Sequence, residues 1–417
     1  MKKRSWKHGL TENTLLVTVD IGKFKNTGYY RCPDGTDIPT FEFGNSGEGF
    51  KTFWSRITQG MHKFNLTEVV VGLESTGSYA EPLLHFLRKR GVQLVQVTPA
   101  HTKKAKELFD NSPNKTDDKD PKVIADVIEL GRALTVVIPE GVAADLRRLT
   151  HARERSQERR TRVYNQLHDL EFLIFPEFES VMSDFSTKSA RYLIENYGTP
   201  TRLLTLTPEE LTQTLRRVSK GRLGSERAQA LYELAQTSVG ISDGQLSLVA
   251  EIQHALHLIA DCDRFIAALE EQMLAFLLKV PYSRFLLSIP SIGKVTVASL
   301  IGEVSDFGQF KTIGELLKYA GLNLFELSSG EHKGQRRISK RGRPLMRKLL
   351  YFAAMRMISK HGIFHEQYQK YLRHGMLKNK ALVAVCRKLL GMMLALVRDQ
   401  REYLAHDATC SEYQNAA

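Results

Sequence analysis

Acidic side chains end two of the apolar strand-like segments near the start of the chain. Asp20 follows the run LLVTV within LLVTVDIG (15–22), and Glu74 lies near the end of TEVVVGLEST (67–76). In the sheet predicted below, these strands are neighbours, so the two carboxylates converge at one end of the sheet. Neighbouring carboxylates repel, so such a pair is usually held by a cation or by partial protonation. Mg²⁺ takes oxygen ligands and keeps several waters, which leaves room for phosphate oxygens.

The stretch NKTDDKDPKVIAD (114–126) adds four acids in a strongly basic chain. Asp117 and Asp120 are three residues apart, so on a helix they share a face. Asp118 and Asp126 fall away from that face, and we expect both to be surface charges. In isolation, the simpler interpretation is favoured, in which the acids cap a helix or complement its dipole. When these acids are considered together with Asp20 and Glu74, a metal site becomes the favoured interpretation for Asp117 and Asp120.

Pro121 complicates the helix that would carry these acids. The residue before a proline resists helical geometry. Proline is nevertheless tolerated in a first helical turn, where its missing N–H costs little. We therefore expect the helix to begin near Thr116 or Asp117.

A serine pair precedes a basic run in YAGLNLFELSSGEHKGQRRISKRGRPLMRKLLY (319–351). Ser328 and Ser329 are followed by glycines that let a backbone approach a ligand closely. A charge run is usually a solvated face and a loop serine is usually a turn residue. A serine beside cations could instead attack a phosphate whose charge those cations stabilise. The run has eight cations and no acid: Lys333, Arg336, Arg337, Lys340, Arg341, Arg343, Arg347 and Lys348.

The segment SIPSIGKVTVASLIGEV (288–304) is typical of a helix-hairpin-helix turn. We expect Ile292-Gly293 to form the tight turn and a helix to begin at about Lys294. Backbone N–H groups at that helix start, with Lys294, would contact nucleic-acid phosphate without reading sequence. An ordinary glycine turn between two helices is an equally open interpretation.

The elements that position these residues follow from periodicity. Residues 13–140 predict strand, strand, strand, helix, strand, helix, strand, helix, which is the α/β ribonuclease H-like order. Residues 141–281 predict a long antiparallel helical hairpin or coiled coil, with a small helical insert at about 183–240. Residues 282–417 predict a mostly α-helical third domain. The sequence thus predicts domains at 1–140, 141–281 and 282–417.

Composition limits the class of protein. The net charge of +13 suggests a polyanionic partner: DNA, RNA or a membrane surface, although a basic soluble enzyme stays open. No apolar run is long enough to cross a membrane, and we expect no membrane partner. The basic N-terminus lacks a secretory signal pattern. The four cysteines form no CxxC pair, which argues against zinc or disulfides and fits a reducing cytoplasm.

The motifs together resemble the bacterial insertion-sequence transposases with a RuvC-like DEDD domain, which are understood as bridge-RNA-guided serine recombinases. The matching stretches are VDIGK, GLESTGSY, NKTDDKDPKVIAD, LLSIPSIGKVTVASLIGE and the serine-containing segment 319–351. They cover about 13–135 and 284–400. Pro121, directly after the last acid, and a longer middle region depart from the family pattern. An Asp-x-Gly phosphate turn of actin-like ATPases or sugar kinases is disfavoured, since no second phosphate loop follows.

The resemblance implies roles for particular residues. It places a metal-binding and catalytic set, with Mg²⁺ as cofactor, on Asp20, Glu74, Asp117 and Asp120. It places the nucleophile on Ser329, with Ser328 as the residue a one-position shift would select. It is consistent with nucleic-acid contacts that we assign to Gly293, Lys294, Lys333, Arg336, Arg337, Lys340, Arg341 and Arg343.

The resemblance also implies partners. DNA would be the substrate, with a guide RNA choosing the site, and the chain would act in the bacterial cytoplasm at the nucleoid. Homo-oligomers are expected, a dimer or a dimer of dimers, with dimer contacts in the middle region and an active site shared between subunits. Two alternatives stay open: a RuvC-like nuclease or junction resolvase that uses metal-activated water, and a non-catalytic nucleic-acid-binding scaffold.

Overall fold

A computed structural model of the chain describes residues 10–74, 77–110, 119–326 and 336–404. The expectations for Asp117, Asp118, Ser328, Ser329 and Lys333 concern positions outside these residues. The chain divides into two compact units, Met1–Ile138 and Pro139–Ala417. The three-domain division, with its further boundary at 281, stays a prediction.

The first unit alternates strands and helices around one sheet. Its strands are β1 (Thr14–Asp20), β2 (Lys25–Arg31), β3 (Phe41–Gly44), β4 (Glu68–Glu74), β5 (Gln93–Val97) and β6 (Leu134–Thr135). Its helices are α1 (Gly47–Lys63), α2 (Glu81–Arg88), α3 (Pro99–Asp110) and α4 (Lys119–Glu129).

The sheet has six strands in the order β3-β2-β1-β4-β5-β6. β2 is antiparallel to both β1 and β3, whereas β1, β4 and β5 are parallel neighbours. β1 is buried almost throughout because helices cover both faces of the sheet, which is why its sequence is a continuous apolar run rather than an alternating one. Phe53 and Leu83 belong to the core on one face, and Ile124 and Ile128 to the core on the other.

The predicted element order of this unit is confirmed for β1 to β5, α1, α2 and α4. The unit has the expected α/β architecture, with helices packed on a mixed parallel and antiparallel sheet. Helix α3 and strand β6 were not predicted. β6 is only two residues long and pairs antiparallel with β5. α3 has few apolar residues and presents Thr102 as its one buried side chain in the described part, so its periodic signal is weak.

The second unit is almost entirely helical. Its helices are α5 (Gly141–Ile174), α6 (Phe178–Val181), α7 (Lys188–Tyr197), α8 (Pro200–Leu203), α9 (Pro208–Ser219), α10 (Ser225–Gln236), α11 (Gln245–Leu277), α12 (Ser283–Leu287), α13 (Lys294–Val304), α14 (Ile313–Ala320), α15 (Pro344–Met357), α16 (His365–Arg373) and α17 (Lys378–Arg398). A short ribbon pairs β7 (Leu324–Phe325) with β8 (Arg337–Ile338).

The long helices α5 and α11 run antiparallel. Arg153 Nε lies 2.6 Å from Glu270 Oε1, and Arg160 Nη1 lies 2.6 Å from Asp263 Oδ1, so contacts move down one helix as they move up the other. The two long helices predicted in 141–281 thus form an antiparallel pair, and the coiled coil stays a prediction. Helices α6 to α10 lie between α5 and α11 in the chain, in the region where a small insert is predicted at about 183–240.

Two hydrophobic cores hold this unit together. One joins the insert to the adjoining parts of α5 and α11, through residues such as Leu167, Phe178 and Ile259. The other joins the opposite ends of those helices to α12–α17, through residues such as Leu300 and Leu389. Among the helices the structure describes, none combines the length and apolarity needed to cross a bilayer.

Candidate functional site

Asp20 and Glu74 occupy matching positions on adjacent parallel strands. β1 and β4 pair in a register that sets Val19 opposite Leu73, and each acid is the next residue of its strand. Partners in register point to the same face of a parallel sheet, and their backbones are about 4.8 Å apart. The structure thus brings these two predicted carboxylates together.

Helix α4 lies over the face on which both acids point. Thr18 shares a face with Asp20, two residues on, and donates a 2.6 Å hydrogen bond to the carbonyl oxygen of Pro121 in the first turn of α4. Gly72 shares a face with Glu74, and a Cβ there would lie 2.1 Å from Ile128 Cδ1, so only glycine lets α4 pack this closely. The start of α4 is therefore fixed beside the strand-end acids.

Pro121 is the third residue of α4, within the first turn, where proline is tolerated. The adjacent Asp120 is 7% exposed. Asp120 directly precedes Pro121, whose carbonyl oxygen accepts the hydrogen bond from Thr18. The third predicted carboxylate therefore lies at the same end of the sheet as Asp20 and Glu74. The predicted start near Thr116 or Asp117 lies outside the described residues.

Helix α3 supplies two polar contacts that the sequence analysis missed. Thr102 Oγ1 donates a 3.0 Å hydrogen bond to Glu74 Oε2. Four residues later, Lys106 Nζ lies 2.5 Å from Asp120 Oδ1. Residues four apart share a helix face, so one face of α3 covers two of the candidate acids. The four-residue spacing of these polar residues was the available signal, although an i, i+4 pair of this kind is common on solvated helices.

These acids have the donor chemistry of a hard cation site. Carboxylate oxygens are the ligands Mg²⁺ prefers. Asp120 Oδ1 is buried and forms an ion pair with Lys106, and it has no hydrogen-bond partner among the residues that the structure describes. Among the described residues, no group of three or more His, Cys, Asp or Glu could hold a metal ion. The fourth predicted ligand, Asp117, is not among those residues.

Asp126 is not the surface charge we expected. Arg31 Nη1 lies 2.7 Å from Asp126 Oδ1 and 3.2 Å from Glu129 Oε2, and its Nε lies 2.7 Å from Asp37 Oδ1. Burial alone would lower the pKa of Arg31, but hydrogen bonds to Asp37 and Asp126 raise it overall. The pairing arises from the tertiary approach of α4 to β2, which helical spacing alone does not reveal. Arg31 pairs in register with Leu16, which lies four residues before Asp20 on β1. This ion-pair network therefore stabilises the end of the sheet opposite to the one that carries Asp20 and Glu74.

The cations of the basic run fall into two groups, those that are exposed to solvent and those that contact other parts of the fold. Arg336, Arg337, Lys340 and Arg341 are exposed around the β7–β8 ribbon. Arg336 Nε lies 3.0 Å from Glu326 Oε2, an exposed pair of small energetic weight.

Three cations of the run serve the fold. Arg343 lies over the Tyr319 ring, 5.1 Å from its centroid. Arg347 Nη1 donates to the carbonyl oxygen of Ala320 at 2.9 Å, and Lys348 pairs with Glu154 on α5. The ribbon strands hold the two ends of the segment that carries the predicted serine.

The helix-hairpin-helix prediction needs one correction. Helix α13 begins at Lys294 as expected, with Gly293 as its N-cap. The left-handed residue of the turn is Ser291, with φ of 66°, whereas Gly293 is extended, with φ of −81°. Gly293 is thus not required for the turn geometry; it leaves the start of α13 without a side-chain cap.

Two protein-family models match this chain, and both describe transposases. A family model described as "Transposase", for the DEDD type, matches residues 17–176, and one described as "Transposase IS116/IS110/IS902 family" matches residues 283–369. A protein of insertion element IS116 from Streptomyces clavuligerus is 26% identical over 80% of this chain and 84% of its own length. A protein of insertion element IS110 from Streptomyces coelicolor is 25% identical over 93% and 95%.

A shorter stretch of the chain is similar to a protein whose name describes its function. The pilin gene-inverting protein of Moraxella bovis is 30% identical over 28% of this chain and 37% of its own length. The sheet with its strand-end acids, the helical second unit and these matches define the class as a DNA transposase. The chain belongs to the IS110/IS116 family of transposases.

Proposed function

We propose that this chain is a DNA recombinase that cuts and rejoins strands through a covalent phosphoserine intermediate. The observation that supports the proposal most is the pairing of Asp20 with Glu74 at adjacent strand ends, under an α4 start that carries Asp120. A set of carboxylates placed beside strand ends suits phosphoryl transfer, because it concentrates negative charge where a bridging cation and a phosphate meet.

The proposed chemistry begins at Ser329, the residue that the family resemblance selects. Its Oγ attacks phosphorus, the P–O3′ bond breaks, and the 3′-oxygen leaves with a proton as a hydroxyl. The new phosphoserine bond conserves the energy of the phosphodiester, so rejoining to another 3′-hydroxyl needs no ATP. Mg²⁺ held by Asp20, Glu74, Asp117 and Asp120 would orient the scissile phosphate and stabilise its charge.

Exposed cations would hold the nucleic acid by its backbone. Arg336, Arg337, Lys340 and Arg341 are solvent-exposed near the ends of the serine segment, and Lys294 is exposed at the start of α13. Lys333, Arg343 and the Gly293 backbone belong to the same proposal. Contacts of this kind position a duplex without reading its sequence, so we propose that a guide RNA supplies specificity by base pairing.

The fold supports the finer assignments within the proposal. The strand order β3-β2-β1-β4-β5, with β2 antiparallel to its neighbours, supports our proposal that this unit has a ribonuclease H-like, RuvC-like fold. The antiparallel α5–α11 pair is a suitable coiled-coil arm for dimer contacts. We propose a homo-oligomer in which the carboxylates of one subunit act with the serine of another, at the nucleoid.

Replacing one strand-end acid tests the carboxylate part of this proposal. Asp20→Asn should abolish Mg²⁺-dependent strand exchange, a loss of at least about 10³-fold, because the amide removes one anionic ligand. DNA affinity should stay within about twofold. Asp34→Asn, an exposed turn residue of the same sheet unit, is the matched control and should retain full activity. Equal strand exchange by the Asp20 variant and the control would refute the role of the carboxylates.

A further inference from the structure

Helix α15 exposes an aromatic side chain on its solvent-facing side. Phe352 is 56% exposed, and Met355, three residues further on, is 47% exposed. Residues three apart share a helix face, so the ring and the thioether form one apolar patch. The opposite side of the helix, through residues such as Leu350 and Ala354, packs into the core of the second unit. A single exposed ring is common on protein surfaces, so its surroundings decide whether it binds a ligand.

Cations flank the ring on both sides along the helix. Lys348 and Arg356 lie four residues before and after Phe352, so all three share one face, and both cations are exposed. Lys348 pairs with Glu154 on α5, so its charge is partly balanced. The whole stretch 332–365, which contains α15, has no acidic residue. The field at the patch is therefore positive, which suits a polyanion.

A second helix adds positive charge beside the ring. The Tyr351 and Phe352 rings make an edge-to-face contact, with centroids 6.1 Å apart. The Tyr351 hydroxyl in turn donates a hydrogen bond to Asn379 Oδ1 at 3.3 Å. Asn379 belongs to the first turn of α17, between the exposed Lys378 and Lys380. The ring is thus oriented by a neighbouring ring and bordered by cations of two helices.

The other exposed phenylalanines of the described helices have different surroundings. Phe265 on α11 is 53% exposed, with Asp261 four residues before it and no cation four residues after it. Phe172 on α5 is 63% exposed, with His168 four residues before it and a proline four residues after it. Neither ring has a lysine or arginine on both sides, so the flanking by cations distinguishes Phe352.

An exposed aromatic ring in a positive field has the chemistry of a single-strand binding site. Cations hold the phosphates of the strand, and the ring stacks on an unpaired base, because every base has a flat face. The bases of a duplex stack on each other and leave no such face open. Arg356 Nη1 lies 3.8 Å from the point where a Cβ on Gly293 would stand, so the patch adjoins the turn at which the proposed function places backbone contacts.

We propose that Phe352, with Met355 beside it, stacks on an unpaired base of a DNA strand that is opened during recombination. Lys348 and Arg356 hold the phosphates on either side of that base. The inference rests on the DNA-binding part of the proposed function and not on the serine chemistry. It gives the exposed face of α15 a role of its own, which is to hold a single strand rather than a duplex.

Binding of strands with and without bases tests this inference. The full-length chain is titrated with a labelled thymidine oligonucleotide, an abasic DNA strand of the same length, a duplex and a uridine RNA strand, and fluorescence anisotropy gives the affinities. Phe352→Ala is compared with Phe265→Ala, the matched control, because the two rings are almost equally exposed. Both variants should melt as the wild type does. The readout is affinity rather than cleavage, so a failed serine mechanism leaves it unchanged.

Phe352→Ala should weaken binding of the thymidine strand roughly 5- to 100-fold, which corresponds to the loss of one stacked base. Its affinity for the abasic strand and for the duplex should stay within about twofold of wild type, and Phe265→Ala should change none of these affinities. Phe352→Trp should keep the affinity, because tryptophan also stacks. Its added fluorescence should be quenched by the thymidine strand but not by the abasic strand, and that of Phe265→Trp by neither.

Several results would overturn the proposal. Equal losses on the thymidine and abasic strands would mean that the ring only supports phosphate contacts. A loss confined to the uridine strand would assign the ring to RNA. If Phe352→Ala changes the molecular mass in ultracentrifugation while all affinities stay the same, the patch is an interface with a second copy of this chain. Phe352 variants that match the Phe265 variants in both anisotropy and fluorescence would leave the ring with no role in binding.

Discussion

Individual carboxylates in this chain serve three different purposes. Asp120 lies beside the strand-end acids and contacts Lys106, Asp126 binds Arg31, and Glu171 is enclosed in the core of the helical unit. The sequence distinguished only the first of these, since Asp20 and Glu74 end apolar strands. The role of Asp126 depends on the approach of α4 to β2, and the contacts of α3 depend on packing that no short motif encodes.

Glu171 predicts a pH dependence of stability. It is 1% exposed, neither carboxylate oxygen has a hydrogen-bond partner among the described residues, and burial raises its pKa from 4.5 to about 8. Between these values the folded chain binds a proton that the unfolded chain has released, so stability falls as pH rises from about 4.5 to 8. The full contribution is on the order of 3–5 kcal/mol.

Glu171→Gln should remove that contribution. The variant should melt above wild type at pH 8, and the difference should shrink toward pH 5, where the wild-type carboxyl no longer costs free energy. Melting curves of both proteins across this range give the test. Exposed Glu233→Gln on α10 is the control, and it should follow the wild-type profile. A Glu171→Gln profile parallel to wild type would show that the buried carboxyl has a partner that stabilises its charge.

At the scale of elements, the loop before α15 is fixed to the end of α14. Lys340 N donates to Gly321 O at 3.0 Å, and Arg343 N donates to Tyr319 O at 3.1 Å. A Cβ on Gly342 would lie 2.4 Å from both the Gly321 nitrogen and the Tyr319 carbonyl oxygen. The glycine therefore lets the basic loop lie directly on the backbone of its neighbour.

Gly342→Ala should lower stability by about 1–3 kcal/mol, because the backbone must shift to relieve the overlap. It should also weaken DNA binding, since Lys340 and Arg341 move with the loop. Gly314→Ala in α14 is the matched control: its Cβ would meet only Thr312 Oγ1 at 3.8 Å, and alanine should stabilise the helix by about 0.5–1 kcal/mol. Thermal melting and fluorescence anisotropy on both variants give the answer. If Gly342→Ala is destabilised but its DNA affinity is unchanged, the loop before α15 does not contribute to nucleic-acid binding.

Elements with a long apolar run or a sustained helical spacing of apolar residues were the predictable ones. β1 and β4 are continuous apolar runs, and α5 and α11 have apolar residues at helical spacing over more than thirty positions. Helix α3 is lysine-rich with few apolar residues, and its two side chains that contact the candidate acids, Thr102 and Lys106, are polar. The turn at Ser291 was misassigned because glycine is the usual left-handed residue, and here a serine takes that conformation.

At the scale of the whole molecule, the charge of +13 makes a prediction of its own. If six or more phosphates are contacted, DNA affinity should fall roughly 10³-fold or more between about 50 and 200 mM salt. Anisotropy titrations with a labelled duplex at several salt concentrations measure the slope. A fall of tenfold or less would mean that most of the excess cations are a solvated surface and that few phosphates are bound.

The central claim is the covalent phosphoserine step, and trapping the adduct tests it most directly. Full-length protein is incubated with labelled DNA, its guide RNA and Mg²⁺, denatured, and resolved on a gel, and the adduct is mapped by mass spectrometry. We predict a phosphoserine at Ser329 that is absent in Ser329→Ala and present in Ser328→Ala. Cleaved DNA with hydrolysed ends and no adduct, or strand exchange retained by Ser329→Ala, would contradict the account and favour a metal-activated water as the nucleophile.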